Sequence, residues 1–148
     1  MPRVALACLS IFALVIIAAC AQGVKSPAGF RLPDGDPQRG RAVFIALKCG
    51  GCHQVKDAEL PAISAEMTRP VVLGGETIYE RTDGELVTAI INPSHRLAFG
   101  YPADVVTTDG RHSKMRDYSD TMTIRQLVDL VAFLHTTYKT VPPPFGTS

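Results

Sequence analysis

The sequence has no tryptophan, and aromatic residues make up only 7% of it. That is a modest supply of large rings for a domain that must fill its core from its own side chains. A charge excess of either sign is missing too, with 15 Lys and Arg against 14 Asp and Glu and a formal net charge of +1. Without a basic excess there is no electrostatic case for nucleic acid, and partners must be recognised through local patches. Cysteine is scarce: four residues, Cys8, Cys20, Cys49 and Cys52.

The most conspicuous apolar run occupies residues 4–21, directly after Met1-Pro2-Arg3. One positive charge, a hydrophobic stretch and small residues at its end have the layout of an export signal. The run closes on Ile17-Ala18-Ala19-Cys20, which resembles the bacterial lipobox. In proteins of that kind the Cys thiol takes a diacylglyceryl group, the peptide is cut just before it, and the new amino terminus is acylated. On this reading residues 1–19 are a signal peptide, and Cys20 anchors the chain to a membrane through several acyl chains. Two plainer readings compete. Ala19-Cys20-Ala21 also suits ordinary signal cleavage, which gives a soluble periplasmic protein, and an uncut segment of this length is at the lower limit for an N-terminal membrane anchor. All three put the folded part outside the cytoplasm.

Cys8 leaves with the signal and Cys20 is taken by lipid, so only Cys49 and Cys52 remain and no pair is left for a structural disulfide. Removing 19 of the 148 residues leaves 129, enough for one domain and too few for two. Residues 20–35 are rich in Gln, Gly, Lys, Ser, Pro and Asp, which suits a lipidated N-terminus followed by a flexible tether. A first helix is expected from Asp36-Pro37, an N-cap followed by a proline at the first helical position. Gly40, Val43, Phe44 and Leu47 give it an apolar stripe that leads to Cys49. Residues 54–68 show no regular pattern. Residues 69–81 suggest a short hairpin or an extended wrap, with Gly74-Gly75 marking the turn. A short helix is expected over 83–91, stopped by Asn92-Pro93. Residues 94–116 form a long irregular connection, of a kind that compact domains seldom keep unless something fixes it; a metal bond would. Thr123 and Gln126 fit a capping box for a final helix reaching to about Tyr138, with an apolar face of Leu127, Val128, Leu130, Val131, Phe133 and Leu134. The Pro-rich tail, 141–148, is expected to be extended.

The chemistry is concentrated in Cys49-Gly50-Gly51-Cys52-His53. Two thiols three positions apart, with an imidazole directly after them, are what covalent haem attachment requires. Each thiol can add to one vinyl group of the porphyrin, and His53 then stands under the iron as proximal ligand. A large apolar cofactor also suits the modest aromatic content. CxxC alone serves zinc or dithiol redox chemistry as well. Zinc needs about two further ligands at finger-like spacing and none is evident, and a thioredoxin-like motif expects alternating strands and helices that this pattern lacks.

An exported chain with an aromatic-bearing helix, CxxCH, a long loop and a final amphipathic helix resembles the monohaem class I cytochromes c, here in lipoprotein form. The resemblance covers roughly 36–138. It implies an all-α fold, a small cytochrome c domain at 36–140 with three to four helices and long loops wrapped round one covalent haem c. It also implies that the first and last helices cross at Gly40 and Phe44 against Phe133 and Tyr138. The family's sixth iron ligand is usually a Met before the last helix, which makes Met115 the expected distal ligand. Arg116 stands where the family usually has Pro, so the loop is expected to be less rigid. Met67 and Met122 suit core packing better, and Met122 and His112 remain competitors for the iron. His95, His112 and His135 suit a solvated surface. The resemblance also implies that a proline carbonyl, that of Pro61 or of Pro70, orients the His53 ring, and Tyr101, Asp117 and Tyr118 are candidates for hydrogen bonds near a propionate.

The function implied is one-electron transfer on the extracytoplasmic side of a bacterial membrane, between redox partner proteins of a respiratory or oxidising system. Such a chain is a carrier, or the cytochrome subunit of an oxidoreductase complex, and not itself an enzyme. The alternative is a haem sensor or small-ligand enzyme with an open or labile sixth position.

Overall fold

The computed structural model describes residues 30–61 and 69–143. Cys20, Met67 and residues 144–148 lie outside them. The body that starts at Arg31 is one unit. Its elements run α1 (Pro37–Ala46), a 3-10 turn (Cys49–Gly51), β1 (His53–Val55), β2 (Val71–Leu73), β3 (Gly75–Thr77), α2 (Asp83–Ile91), α3 (Ala103–Val106), α4 (Ile124–Thr137) and β4 (Tyr138–Thr140). The body is mainly helical, as expected, with two small parallel pairings added at its margin, β1 with β2 and β3 with β4. Among the described residues no helix is long and apolar enough to cross a membrane.

Helix α1 starts where its capping residues dictate. The Asp36 carboxylate accepts from the Gln38 and Arg39 amides at 2.8 and 3.1 Å, and Pro37 follows at a position whose N–H would have no helical partner. The stripe on α1 packs against α4. Gly40 makes this possible: a Cβ there would stand 1.9 Å from the Asp129 carbonyl oxygen and 2.7 Å from the Phe133 Cβ. One turn on, the Phe44 and Phe133 rings meet edge to face, with centroids 5.8 Å apart. Such a pair adds about 1 kcal/mol beyond the apolar area it buries. Val43, Leu130, Val131 and Leu134, with Leu86, Val87 and Ile90 from α2 and Val55 from β1, complete the core.

A buried carboxylate sits at the same crossing. Asp129, only 2% exposed, accepts from the Asp36 amide at 2.8 Å and from Arg39 Nε and Nη2 at 2.8 and 3.2 Å. It ties α4 to the first turn of α1. The packed body also begins earlier than the composition of the tether suggested. Leu32 lies against the core, and a Cβ on Gly35 would stand 2.5 Å from the Val128 carbonyl oxygen. Apolar and small residues too few to form a pattern are recruited there by a surface that α4 supplies.

Helix α2 spans the expected residues. It is opened by a capping box that the sequence reading did not use: Thr82 accepts from the Glu85 amide and Glu85 from the Thr82 amide, both at 3.2 Å. Of the two forms expected at 69–81, a hairpin or an extended wrap, the hairpin does not form: β2 and β3 each pair with another strand. Both glycines have positive φ, +80° and +88°, and swing the chain from β2, paired with β1, into β3, paired with β4. Gly74 also passes so close to Thr137 that a Cβ would lie 2.8 Å from its carbonyl oxygen. Positive φ without steric cost is what Gly supplies, and here it serves a crossover between partners.

Two outcomes test the crossing. Gly40→Ala should cost about 3 kcal/mol, as overpacking forces α1 and α4 apart, measured by chemical denaturation. The Asp129 carboxyl is held below its ordinary value, first by the Arg39 side-chain hydrogen bonds and then by the Asp36 amide. A depressed carboxyl contributes stability that is present above about pH 4 and is lost as pH falls through the lower folded value. Asp129→Asn should therefore weaken the protein at neutral pH and flatten its stability profile in that acid window.

Candidate functional site

Past the end of α1 the chain must turn sharply to present the CxxCH residues. Lys48 takes a left-handed conformation at φ 57°, unusual for a residue with a Cβ, and the 3-10 turn follows, closed by Gly51 N–H to the Lys48 carbonyl and Cys52 N–H to the Cys49 carbonyl. Cys49 lies against the hydrophobic core. His53 is the first residue of β1, in register with Val71 of β2. Lys48 was not singled out from the sequence, because a left-handed lysine leaves no sign where Gly or Asn would.

The His53 ring is held by its pairing strand. Nδ1 lies 3.4 Å from the Val71 carbonyl oxygen, which can only accept, so Nδ1 carries the proton and Nε2 keeps a lone pair. The orienting carbonyl is therefore that of Val71, one residue beyond the expected Pro70, because strand register selects it; Pro61 plays no such part. Burial lowers the His53 pKa, partly opposed by the Val71 bond, and favours the neutral imidazole that binds metal. The Val72 amide, facing away, donates to the Tyr101 hydroxyl at 2.9 Å, and Arg69 lies over the Tyr101 ring at 5.0 Å. Tyr101 thus braces β2.

Met115 comes to the same place from a distant part of the chain. It lines one cleft with Cys49, Cys52 and His53, and Lys48, Lys114, Arg116 and Tyr118 complete its wall together with Leu47. The cleft holds about 500 Å³ counted out to open solvent. Tyr118 donates to the Leu47 carbonyl at 3.2 Å and so joins the Met115 segment to the end of α1.

The remaining candidates lie elsewhere. His112 is exposed, with Nδ1 2.6 Å from Asp109. Met122 packs against the core. His95 is exposed. His135, expected on the solvated surface, is half-buried and bonds Asp83 at 2.9 Å, linking α4 to the first residue of α2. Asp117 accepts from the Ser119 amide. Nor is residues 94–116 the slack connection that a metal bond alone must fix: α3 and a turn at 107–113 are closed by hydrogen bonds of the chain itself.

The donor set suits a covalent haem better than the alternatives. Burial pushes the Cys49 thiol up to about 11, so the sulfur stays neutral at physiological pH. Dithiol exchange needs a thiolate, which a raised thiol disfavours. Among the described residues no three His, Cys, Asp or Glu side chains are grouped to hold a metal ion. His53, with a free Nε2, and the Met115 thioether line one cleft, and both are donor types that haem iron accepts.

Comparison with known proteins agrees with this chemistry. The family model for cytochrome c matches residues 37–138, which contain the whole of the site. Neither the curated proteins nor the solved structures yielded a match. Cytochromes c carry haem c covalently through CxxCH, here Cys49, Cys52 and His53, and use it for electron transfer. By sequence match and by the donor set in its cleft, the chain belongs to the cytochrome c family.

Proposed function

We propose that this protein is a one-electron carrier on the extracytoplasmic face of a bacterial membrane, with His53 and Met115 as axial ligands of its haem. We propose further that it is anchored through lipid on Cys20 and serves a respiratory or oxidising enzyme. The observation that carries the ligand assignment is that Met115 lines the cleft that Cys49, Cys52 and His53 also line.

Bound haem c supplies a one-electron couple at its iron; the residues of the chain decide how that couple is tuned and protected. Val71 orients the His53 ring and leaves Nε2 for the iron. The Met115 thioether is a soft donor that favours the ferrous state, so a His/Met pair gives a higher potential than two imidazoles. Leu47, the Cys49 side of the turn and the core beneath it exclude water from one flank of the cleft. Strand β1 carries His53 and hydrogen bonds of the turn at 107–113 and of Tyr118 hold the Met115 segment, which suits a carrier that makes and breaks no substrate bond. The run at 4–21 and Ile17-Ala18-Ala19-Cys20 support export and acylation.

Two measurements test this reading. The purified ferric protein should show the weak far-red band of Met-to-iron ligation. Met115→Ala should lose it and let carbon monoxide bind the ferrous form rapidly; survival of the band would remove Met115 as ligand, and rapid binding by the unmodified protein would favour the sensor or small-ligand reading. Intact mass of the exported protein should equal the chain from Cys20 plus one haem plus acyl groups. A mass lacking the acyl groups would exclude the lipid anchor and leave a soluble or signal-anchored protein.

A further inference from the structure

We infer that Thr107 is a positioning residue for the sixth iron ligand: its buried hydroxyl closes the turn that delivers Met115 to the cleft. The inference rests on Met115 being that ligand, as proposed above. Thr107 is 3% exposed, on a connection that is otherwise largely solvated. Its hydroxyl donates to the Ala103 carbonyl at 2.6 Å and accepts from the Gly110 amide at 2.9 Å. One oxygen thereby joins the start of α3 to the tip of the following turn.

The turn then leads directly to the ligand. Thr107 bridges Ser113 in antiparallel fashion, the Thr108 amide donates to the His112 carbonyl at 2.9 Å, and the Lys114 amide donates to the Val106 carbonyl at 2.9 Å. Gly110, at φ +82°, allows the reversal at the tip. Ser113 passes the constraint on: its hydroxyl accepts from the Met115 amide at 3.1 Å, and its own amide donates to Ser94 at 3.0 Å. Thr107 is the buried polar group of this turn and the hub of both arms. Without its hydroxyl the Gly110 amide can turn to water, the bridge to Ser113 loses its support, and Met115 spends more time away from the iron.

The test compares holoprotein carrying Thr107→Val, which keeps the shape and removes the hydroxyl, with Thr107→Ser, which keeps the hydroxyl. Thr107→Val should weaken the far-red band of the ferric protein and speed carbon monoxide binding to the ferrous protein by about 10-fold to 100-fold, the usual scale for losing a group that supports a metal ligand. Thr107→Ser should restore both. A Thr107→Val protein with full haem content, an unchanged band and slow carbon monoxide binding would overturn the inference while leaving Met115→Ala to report on the ligand separately. A band that survives in Met115→Ala would remove the ligand assignment and this inference with it. Should Thr107→Val not fold, the unmodified protein still decides: imidazole added until it displaces the sixth ligand should speed hydrogen exchange of the Gly110 amide, and unchanged exchange would overturn the coupling between turn and ligand.

Discussion

The close crossing of α1 and α4 at Gly40 is the constraint on which the remainder depends. Backbones can approach that closely only where one residue has no side chain, and the approach lets Phe44 reach Phe133 and Asp129 reach both Asp36 and Arg39. An apolar contact and a charged one thus fix the same pair of helices. Because Cys49 follows α1 by three residues, the position of that helix sets the position of the first haem thiol. The buried carboxylate is not evidence of extra stability in itself, since the desolvation of a charge offsets much of its attraction. Its value lies in register, because a shift of α1 along α4 would leave Asp129 buried without partners.

The two proposed axial donors are held by different means, and the difference follows from their distance along the chain. His53 belongs to the attachment motif and is steadied by a three-residue strand, whose partner offers Val71 as acceptor and is braced from behind by Tyr101. Met115 arrives after a long connection that has little apolar periodicity and is fixed by hydrogen bonds within it, with Tyr118 closing the far side onto Leu47. Burial favours the neutral imidazole of His53, the form that binds a metal.

Much of this could be read from the amino acids, and what could not has physical causes. Helices α1, α2 and α4 were legible because each has apolar periodicity and end signals, Asp36-Pro37, Asn92-Pro93 and Thr123 with Gln126. Cys49, Cys52 and His53 were legible because their chemistry depends on spacing alone. The strands were not, since three residues carry no period and their partners lie far away in sequence, at Val71 for His53 and at Tyr138 for Gly75. Nor was the acceptor for His53, because register and not proximity to proline selects it. The ordered turn at 107–113 escaped notice because its polar residues look like any solvated loop until Thr107 is seen to be buried.

The central claim is that Met115 and His53 grip one covalently attached haem from a shared cleft. The most direct measurement is a proton–carbon NMR spectrum of the ferrous protein with labelled methionine methyl groups. A methyl bound at the iron sits under the porphyrin ring current and is shifted far from the others. The account requires one such resonance, assigned to Met115 by its disappearance in a Met115→Leu protein. A shifted methyl that belongs to Met122 or Met67, or no shifted methyl at all, would contradict it.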